Sequence, residues 1–530
     1  MAKRKRRSRS PGQQPPLRES DRKETGNRPR WVGIAIAAAA VVGYFSLLRL
    51  LAPNPWDYDE YFHVGLAREL HNGMPASFHW TPFSLAYERF ADKELLFHIL
   101  LMPFTGLPFE RGALAGAMLG QLLVVGAFAW VLWRLRVAHA PVYLLALTAM
   151  GTTFVSRMAM CRPHHGEIGF TILFLGLLLL EAPPLALGAV AAVFGLFHAS
   201  GWLPVAFATM WLLATRFDAA APVRRRWLDV VAPGLGWAAG QCLHPAFPHN
   251  LHLLWVQNVT VLSKATAGEE ELRSQIGIEL QPLESRLLFD QWPALLTAAV
   301  LVILVATRPG WRRPQVLLIA GLAILALLTG LFLWLRFFEL AVPLTLLAIA
   351  AGSRLPESPP RRQAAGAALA GVVALILVGN LFTFKRLRDY RVGQFAPPRP
   401  MAEWLAEHGR RGERVFTANW ADSAPLFYYA PHLQSLVILD PTFFLMADPE
   451  RFRLYVDIVE GREAEPARAI RERFGARWVT VWKVPLYKSF ATRLVRSGQA
   501  TIAFADPFYL VLDLGEPAGS ASSATFGWTK

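Results

Sequence analysis

Apolar runs of roughly membrane-spanning length recur between Trp31 and Thr383, and they constrain this chain more than any other feature. A helix crosses the bilayer core with about 20 consecutive apolar residues. Backbone groups must pair internally in lipid, so repeated runs of this kind predict a bundle of helices. Only 18% of the residues are charged, against about 25% in soluble domains. We therefore predict a polytopic α-helical membrane protein of about 11 transmembrane helices.

Basic residues give the predicted orientation of these helices. Residues 1–30 contain eleven Lys and Arg but only three acids, and the loops that alternate onto the same side are mostly arginine-rich. Such clusters next to spans are typical of cytoplasmic segments. We expect residues 1–30 to be a disordered basic cytoplasmic tail that meets anionic lipid rather than nucleic acid. The transmembrane domain then covers residues 31–383.

Three predicted regions lie on the opposite, outer side of the membrane. They are an outer loop at 52–111, a second loop at 244–291 and a domain at 384–515. In the third region, helix-like segments such as RPMAEWLAEHG and AEPARAIRERFG alternate with strand-like ERVFTA, SLVILD, RWVTVW and FYLVLDL. This alternation predicts a C-terminal extracytoplasmic α/β domain. Residues 516–530 are expected to be a flexible tail.

An acidic cluster stands at the exit of the first span, in the stretch NPWDYDEYFH. Asp57, Asp59 and Glu60 fall within four positions of one another. In a helix, both Asp59 and Glu60 share a face with His63. A carboxylate beside an imidazole is suited to acid/base chemistry or to metal binding. Asp57 alone fits a helix cap, whereas the two following acids are not needed for capping.

Further charges stand at the outer ends of other predicted spans. Asp92 and Glu94 precede an apolar stretch, either as a charged lip or as a second acidic shelf. The segment RMAMCRPHHGE places arginines where the charge rule disfavours them, so a phosphate, a metal or a lipid headgroup is needed to explain them. The candidate residues in that segment and on a later span are Arg162, His164, His165, Glu167 and Arg336, the last with Glu339 three positions on.

The sequence contains two cysteines, which exclude a disulfide scaffold and a cysteine-based zinc cluster. Cys161 and Cys242 both lie near span ends on the predicted outer side. The sequence leaves two alternatives for these cysteines: they form one disulfide with each other, or both remain free thiols.

The stretch DEYFH, after a basic tail and one span, resembles the first outer loop of GT-C glycosyltransferases. Asp59 and Glu60 are similar to the Asp-Glu pair of protein mannosyltransferases and aminoarabinose transferases. Asp59 followed by Tyr61, Phe62 and His63 is similar to the DPYYH segment of oligosaccharyltransferases, as is the continuation LARELHNG. The motif similarity covers only this segment, whereas the topology is similar over the whole chain.

The C-terminal region departs from the oligosaccharyltransferase pattern. The residues NWAD, starting at Asn419, occupy the place of the Trp-Trp-Asp acceptor-reading motif. We therefore do not assign protein N-glycosylation, and the chain is more similar to uncharacterised bacterial GT-C members.

The resemblance implies transfer of a sugar from a polyprenyl-phosphate or diphosphate carrier to an extracytoplasmic glycan, lipid or protein acceptor, with inversion. Asp59 would be the general base or orienter, with Glu60 as a second catalytic residue. The residues implied in binding the donor's phosphate are His63, Arg162, His164, His165 and Arg336. A divalent cation, Mg or Mn, is left open, and its possible ligands are Asp57, Asp92, Glu94 and Glu167. The expected location is the bacterial inner membrane, with the C-terminal domain in the periplasm.

Two other functions fit the sequence less well than glycosyl transfer. A transporter or flippase is expected to carry charges or Gly/Pro breaks near the midplane of its spans, where this chain has few acids. A non-catalytic membrane scaffold, whose outer domain binds a partner, leaves the clustered acids and outer arginines without a role.

Overall fold

A computed structural model describes residues 27–51, 56–216, 227–267, 275, 277–354, 362–394, 397–438 and 440–515. The predicted basic tail lies outside the described residues except for 27–30, which open the first helix. The predicted tail at 516–530 lies wholly outside them. Most of the described chain is helical, and one four-stranded sheet lies near its C-terminus.

Six helices in the described part are long and apolar enough to cross a membrane. These helices are Trp31–Leu50, Phe109–Arg134, Ser285–Thr307, Pro314–Phe332, Leu335–Gly352 and Ala368–Asp389. Five further apolar helices have only 10–17 residues. The predicted polytopic membrane fold is confirmed, and the count of about 11 spans stays a prediction.

The described residues form sixteen α-helices before the sheet domain. Their bounds are Asn27–Leu50, Asp59–Glu69, Leu95–Leu101, Phe109–Arg134, Ala140–Ala146, Thr152–Met158, His164–Leu179, Pro184–Phe197, Leu203–Thr215, Leu228–Leu243, His249–Trp255, Val261–Ala267, Trp292–Thr307, Pro314–Phe332, Phe338–Gly352 and Arg362–Gln394. Cys161 is buried, Cys242 is exposed, and both thiols are free.

One predicted span is broken. The sequence predicts a continuous helix over 141–159, but Gly151 has φ +91° and separates Ala140–Ala146 and its short extension from Thr152–Met158. Only glycine adopts this backbone conformation readily. A Cβ at this position would also lie 2.7 Å from Oε1 of Gln291. The break therefore makes room for the loop that precedes the helix Trp292–Thr307.

The C-terminal domain is built on a mixed sheet. Its strands are β1 (Arg414–Thr417), β2 (Ala476–Trp482), β3 (Thr501–Ala505) and β4 (Tyr509–Asp513), in the order β1-β2-β4-β3. Strands β1 and β2 are parallel, whereas β4 is antiparallel to both of its neighbours. The surrounding helices are Arg399–His408, Ser423–Tyr429, Pro441–Ala447, Pro449–Val459, Pro466–Ala469 and Lys488–Arg496.

The strand predicted at SLVILD is wrong, and β3 was not predicted. The described residues of SLVILD are irregular, and the N–H of Ser435 donates to the carbonyl of Trp80 in the loop after the first span. Leu436 and Val437 are nonetheless buried. Their apolar character reflects packing between the sheet domain and that loop rather than membership of the sheet.

The sheet domain packs directly on the helix that carries the acidic motif. A Cβ at Gly65 of this helix would lie 2.8 Å from the ring of Phe427. Arg68 donates to the carbonyl of Tyr428 at 2.7 Å, and the indole of Trp80 donates to the carbonyl of Pro431 at 2.8 Å. The motif helix is thus held between the membrane helices and the sheet domain.

We predict that Gly65→Ala destabilises the protein by about 1–3 kcal/mol, because the added methyl group overpacks the buried Phe427 ring. The matched control is Gly126→Ala, where a Cβ would meet no atom within 4 Å. The control should be neutral or slightly stabilising, since alanine favours a helix over glycine. Thermal unfolding of the detergent-solubilised protein measures both, and equal midpoints for the two variants would contradict the close packing.

Candidate active site

The guanidinium of Arg162 lies among three carboxylates. Its Nη1 donates to Oε2 of Glu279 at 2.8 Å, its Nε is 3.1 Å from Oδ2 of Asp57, and its Nη2 donates to Oδ2 of Asp59. These acids come from both predicted outer loops, and Arg162 comes from the turn before the helix His164–Leu179. Residues far apart in the sequence therefore meet at one cation.

A second layer of charges continues from this group. Arg157 donates to Oε2 of Glu279 at 2.7 Å and also contacts Glu339. Nη2 of Arg336 lies 3.9 Å from Oε2 of Glu167. Glu339 is therefore paired with Arg157.

We call these eight residues the charged cluster: Asp57, Asp59, Glu167, Glu279, Glu339, Arg157, Arg162 and Arg336. It holds five carboxylates and three guanidiniums. The side chain of Glu339 is 3% exposed, whereas that of Asp59 is 27% exposed. Asp59 is thus both paired in the cluster and open to an incoming molecule.

The surroundings of Asp59 make it a candidate base near neutral pH. The pKa of Asp59 is raised to about 7. Burial raises it most, the Arg162 guanidinium lowers it, and the carboxylates of Asp57 and Glu279 raise it. Glu279 behaves differently. Burial opposes its ionisation, but Arg162 and Arg157 outweigh burial and hold the pKa of Glu279 well below its usual range. The pKa values of two acids that share Arg162 are therefore shifted in opposite directions, as is typical of general acid/base sites.

Glu60 occupies a different environment from its neighbour Asp59. Its carboxylate accepts from both Nη1 and Nη2 of Arg49, at 2.6 and 2.8 Å, and from the N–H groups of Trp56 and Cys161. Its exposed fraction is 0%. Arg49 also donates to the carbonyl of Ala159 at 2.9 Å. The role of Glu60 as a catalytic residue stays a prediction, and the contacts described here join it to the end of the first span.

His63 faces another pair of residues in the same loop. Its Nδ1 lies 2.9 Å from Nε2 of His98, and Nδ1 of His98 lies 2.6 Å from Oδ2 of Asp92. Burial and the neighbouring His98 hold the pKa of His63 well below its usual range, so its imidazole is neutral. His63 is thus joined through His98 to Asp92, one of the two acids for which the sequence left a charged lip and an acidic shelf open.

His164 and His165 are buried in the turn around Arg162. Nε2 of His164 is 3.1 Å from the carbonyl of Arg157, and Nδ1 of His165 is 2.9 Å from the carbonyl of Arg162. Both contacts are with backbone oxygens of the segment that carries the arginines. That His164 and His165 bind phosphate stays a prediction.

The four predicted metal ligands lie in separate pairs. Asp57 contacts Arg162, and Asp92 contacts His98. Glu94 lies 3.4 Å from Nζ of Lys93, and Glu167 lies 3.9 Å from Arg336. This arrangement does not bring the four oxygens around one ion. A different group, His63, Glu94 and His98, has its candidate ligand atoms within 4.8 Å of one another and is compatible with a divalent cation.

The sheet domain reaches the acidic motif through two tyrosines. The hydroxyl of Tyr509 donates to Oδ1 of Asp422 at 3.1 Å and lies 2.7 Å from the hydroxyl of Tyr58. Asp422 is fully buried, and burial raises its pKa to about 7. Tyr58, next to Asp59, is thereby tied to strand β4.

Sequence reasoning missed five residues of this region: Arg49, Lys93, His98, Glu279 and Tyr509. Arg49 had a usable signal, because a charge inside an apolar run marks a functional or paired site. Glu279 and Tyr509 had none, since their partners Arg162 and Tyr58 lie more than a hundred residues away in the chain.

No protein-family profile and no curated protein matches the sequence. The structure, however, is similar to solved membrane enzymes. The oligosaccharyltransferase AglB of Archaeoglobus fulgidus, solved with an inhibitory peptide and a dolichol-phosphate, matches with a TM-score of 0.58 and 11% identity over 87% of this chain and 72% of that one. ArnT of Cupriavidus metallidurans, solved with undecaprenyl phosphate, matches with a TM-score of 0.55 and 16% identity over 92% of this chain and 99% of that one.

Both of these proteins are GT-C glycosyltransferases, so the chain has the GT-C fold that the DEYFH resemblance implied. An apo structure of the Archaeoglobus fulgidus oligosaccharyltransferase agrees, with a TM-score of 0.52 and 12% identity over 86% of this chain and 71% of that chain. At such low identities the likeness describes the fold alone, and the chemistry has to be argued from the residues.

We predict that Glu60→Gln costs about 3–5 kcal/mol of stability, because it leaves the buried Arg49 guanidinium without a counter-charge. The control is Glu403→Gln, which removes an exposed helical pair with Arg399 and should cost no more than about 0.5 kcal/mol. Thermal unfolding in detergent compares the two. A Glu60→Gln protein as stable as the control would show that the buried pair does not support the fold.

Proposed function

We propose that this protein is a membrane glycosyltransferase that moves a sugar from a polyprenyl-phosphate carrier to an acceptor outside the cytoplasm. The observation that carries the proposal is the Asp59 carboxylate, which is partly exposed and paired with Arg162. It lies within a GT-C fold, at the ends of several membrane helices. Acids at span ends suit a reaction at the membrane surface better than transport through the bilayer.

A lipid-linked donor is supported by the ligands of the structural neighbours. AglB was solved with a dolichol-phosphate, and ArnT with undecaprenyl phosphate. In this chain Arg162 and Arg336 are side chains 15% and 23% exposed, and guanidinium groups bind phosphate oxygens in pairs. We place the donor's phosphate, or diphosphate, beside these two arginines.

Asp59 is the proposed base. It accepts the proton of an acceptor hydroxyl while that oxygen forms a bond to the anomeric carbon. The bond between this carbon and the phosphate oxygen breaks from the opposite face, so the configuration inverts. The lipid phosphate takes the bonding electrons, and Arg162 and Arg336 stabilise its growing charge. Electrostatic stabilisation of this kind is a large part of catalysis in comparable sites.

The remaining candidate residues are proposed to act through these groups. Glu60 positions Asp59 by anchoring the first turn of its helix to Arg49. His164 and His165 hold the backbone of the segment that carries Arg157 and Arg162. A divalent cation fits best at His63, Glu94 and His98, where it would supply a fixed positive charge beside the first loop. The proposed steps at Asp59 do not run through that cation.

The proposed orientation follows the basic residues of the sequence. The N-terminal tail is in the cytoplasm, and Asp59 with the sheet domain lies on the periplasmic side of a bacterial inner membrane. The sheet domain, docked on the helix of Asp59, would form one wall of the acceptor site.

We predict that Asp59→Asn lowers transfer by about 10²–10⁴-fold, the usual contribution of a general base. The matched control is Asp457→Asn, which removes an exposed acid paired with Arg462 on the sheet domain. Mass spectrometry of surface glycans and lipoproteins, in cells lacking the protein and complemented with each variant, names the transferred sugar and measures its loss. Full transfer by a folded Asp59→Asn protein would exclude the proposed base, and a non-catalytic scaffold would then be favoured.

The rate of transfer should rise with pH through about 7, because Asp59 must lose its proton to act as a base. In Asp57→Asn the neighbouring negative charge is gone, so the rising limb should move to lower pH. Arg162, Glu279 and Lys93 also act on Asp59 and are unchanged in that variant. Initial rates at saturating and limiting donor give both profiles, and a limb that does not move would contradict Asp59 as the titrating group.

A further inference from the structure

Two imidazoles and a carboxylate converge in the first outer loop, apart from the charged cluster. His63 belongs to the helix Asp59–Glu69, whereas Glu94 and His98 come from the segment around Leu95–Leu101. The candidate ligand atoms of all three lie within 4.8 Å of one another, and all three side chains are buried. Buried histidines and acids grouped so closely are typical of metal ligands rather than of an apolar core.

The group has an oriented outer layer of the kind that metal-binding histidines need. Oδ2 of Asp92 lies 2.6 Å from Nδ1 of His98, which leaves Nε2 of His98 with a free electron pair toward His63. Oδ1 of Asp92 accepts the N–H of Glu94 at 3.0 Å and so fixes the start of that segment. A carboxylate that holds the far nitrogen of a ligand histidine orients the ring and raises its basicity.

The local charge also favours a cation. Asp92 and Glu94 are two buried carboxylates, and Lys93 is the nearest ammonium, 3.4 Å from Glu94 and 3.0 Å from the amide oxygen of Gln257. Aromatic rings pack against both imidazoles, because Phe62 meets His98 edge-on at 6.0 Å and Phe97 meets His63 at 5.4 Å between ring centroids. A buried site with surplus negative charge binds a cation more strongly than an exposed one.

We propose that His63, His98 and Glu94 form a zinc-type site that fastens the helix of Asp59 to the segment at 92–101. Two nitrogens and one oxygen suit Zn²⁺ or a similar transition metal, whereas Mg²⁺ and Ca²⁺ prefer oxygen alone. Two nitrogens each about 2.0–2.1 Å from a tetrahedral zinc lie about 3.3 Å apart. Nδ1 of His63 and Nε2 of His98 are 2.9 Å apart, so these two nitrogens need to separate only slightly to bind zinc. A water would complete the four ligands.

This site is independent of the proposed transfer reaction, since its metal is assigned from the ligands and not from the activity. Elemental analysis of the purified full-length protein, grown with zinc, should find about one zinc per chain. His98→Ala should lose it. The matched control is His71→Ala, an exposed histidine whose ring hydrogen-bonds to Met102 and Thr105, and this variant should keep the metal.

If His98→Ala does not fold, Asp92→Asn is the second variant. It retains all three ligands and replaces the carboxylate that orients His98 by an amide. Its zinc affinity, measured by competition with a coloured chelator, should fall by about 10–100-fold. Protein without zinc, zinc retained in His98→Ala, or Asp92→Asn with unchanged affinity would each overturn the proposal. Loss of transfer in Asp59→Asn leaves this test unaffected, so the two proposals fail separately.

Discussion

The ion pair between Arg49 and Glu60 is the contact on which the placement of the other charges depends. A guanidinium at the end of a membrane helix is costly unless a carboxylate meets it, and here both oxygens of Glu60 do so in a buried setting. The same two side chains hold the carbonyl of Ala159 and the N–H of Cys161. The first span, the helix of Asp59 and the turn of Arg162 are therefore joined at one point, which brings the proposed base close to the proposed phosphate-binding arginine.

The sheet domain supplies the opposing support. Phe427 packs against Gly65 without room for a methyl group, and Tyr509 links Tyr58 to the buried Asp422. The ion pair of Glu60 with Arg49 thus holds the first turn of the helix of Asp59. Packing at Gly65 and the hydrogen bond of Arg68 hold the rest of the helix against the sheet domain. Positioning of this kind, from two independent supports, is what keeps a reactive side chain in one geometry.

The membrane fold and the acidic motif were predictable because both depend on local patterns. Long apolar runs identify spans whatever their neighbours are, and DEYFH resembles a family motif within a few residues. The break at Gly151, the irregular segment SLVILD and the pairing of Glu339 with Arg157 were not predictable. Each depends on a partner distant in the chain: a loop that needs space, a second surface that buries apolar residues, or a competing charge. The type of residue at one position does not indicate which distant residues it will contact.

Three acids share the single guanidinium of Arg162, and this sharing has a consequence for product release. The guanidinium has five N–H donors, and three carboxylates contact its three nitrogens, so an anion that binds Arg162 lies close to acids that repel it. In the proposed reaction the lipid phosphate therefore leaves a site in which Asp57, Asp59 and Glu279 compete with it for Arg162. Retention of the lipid would depend on its chain in the bilayer, so the cluster can release its product without opening the surrounding helices.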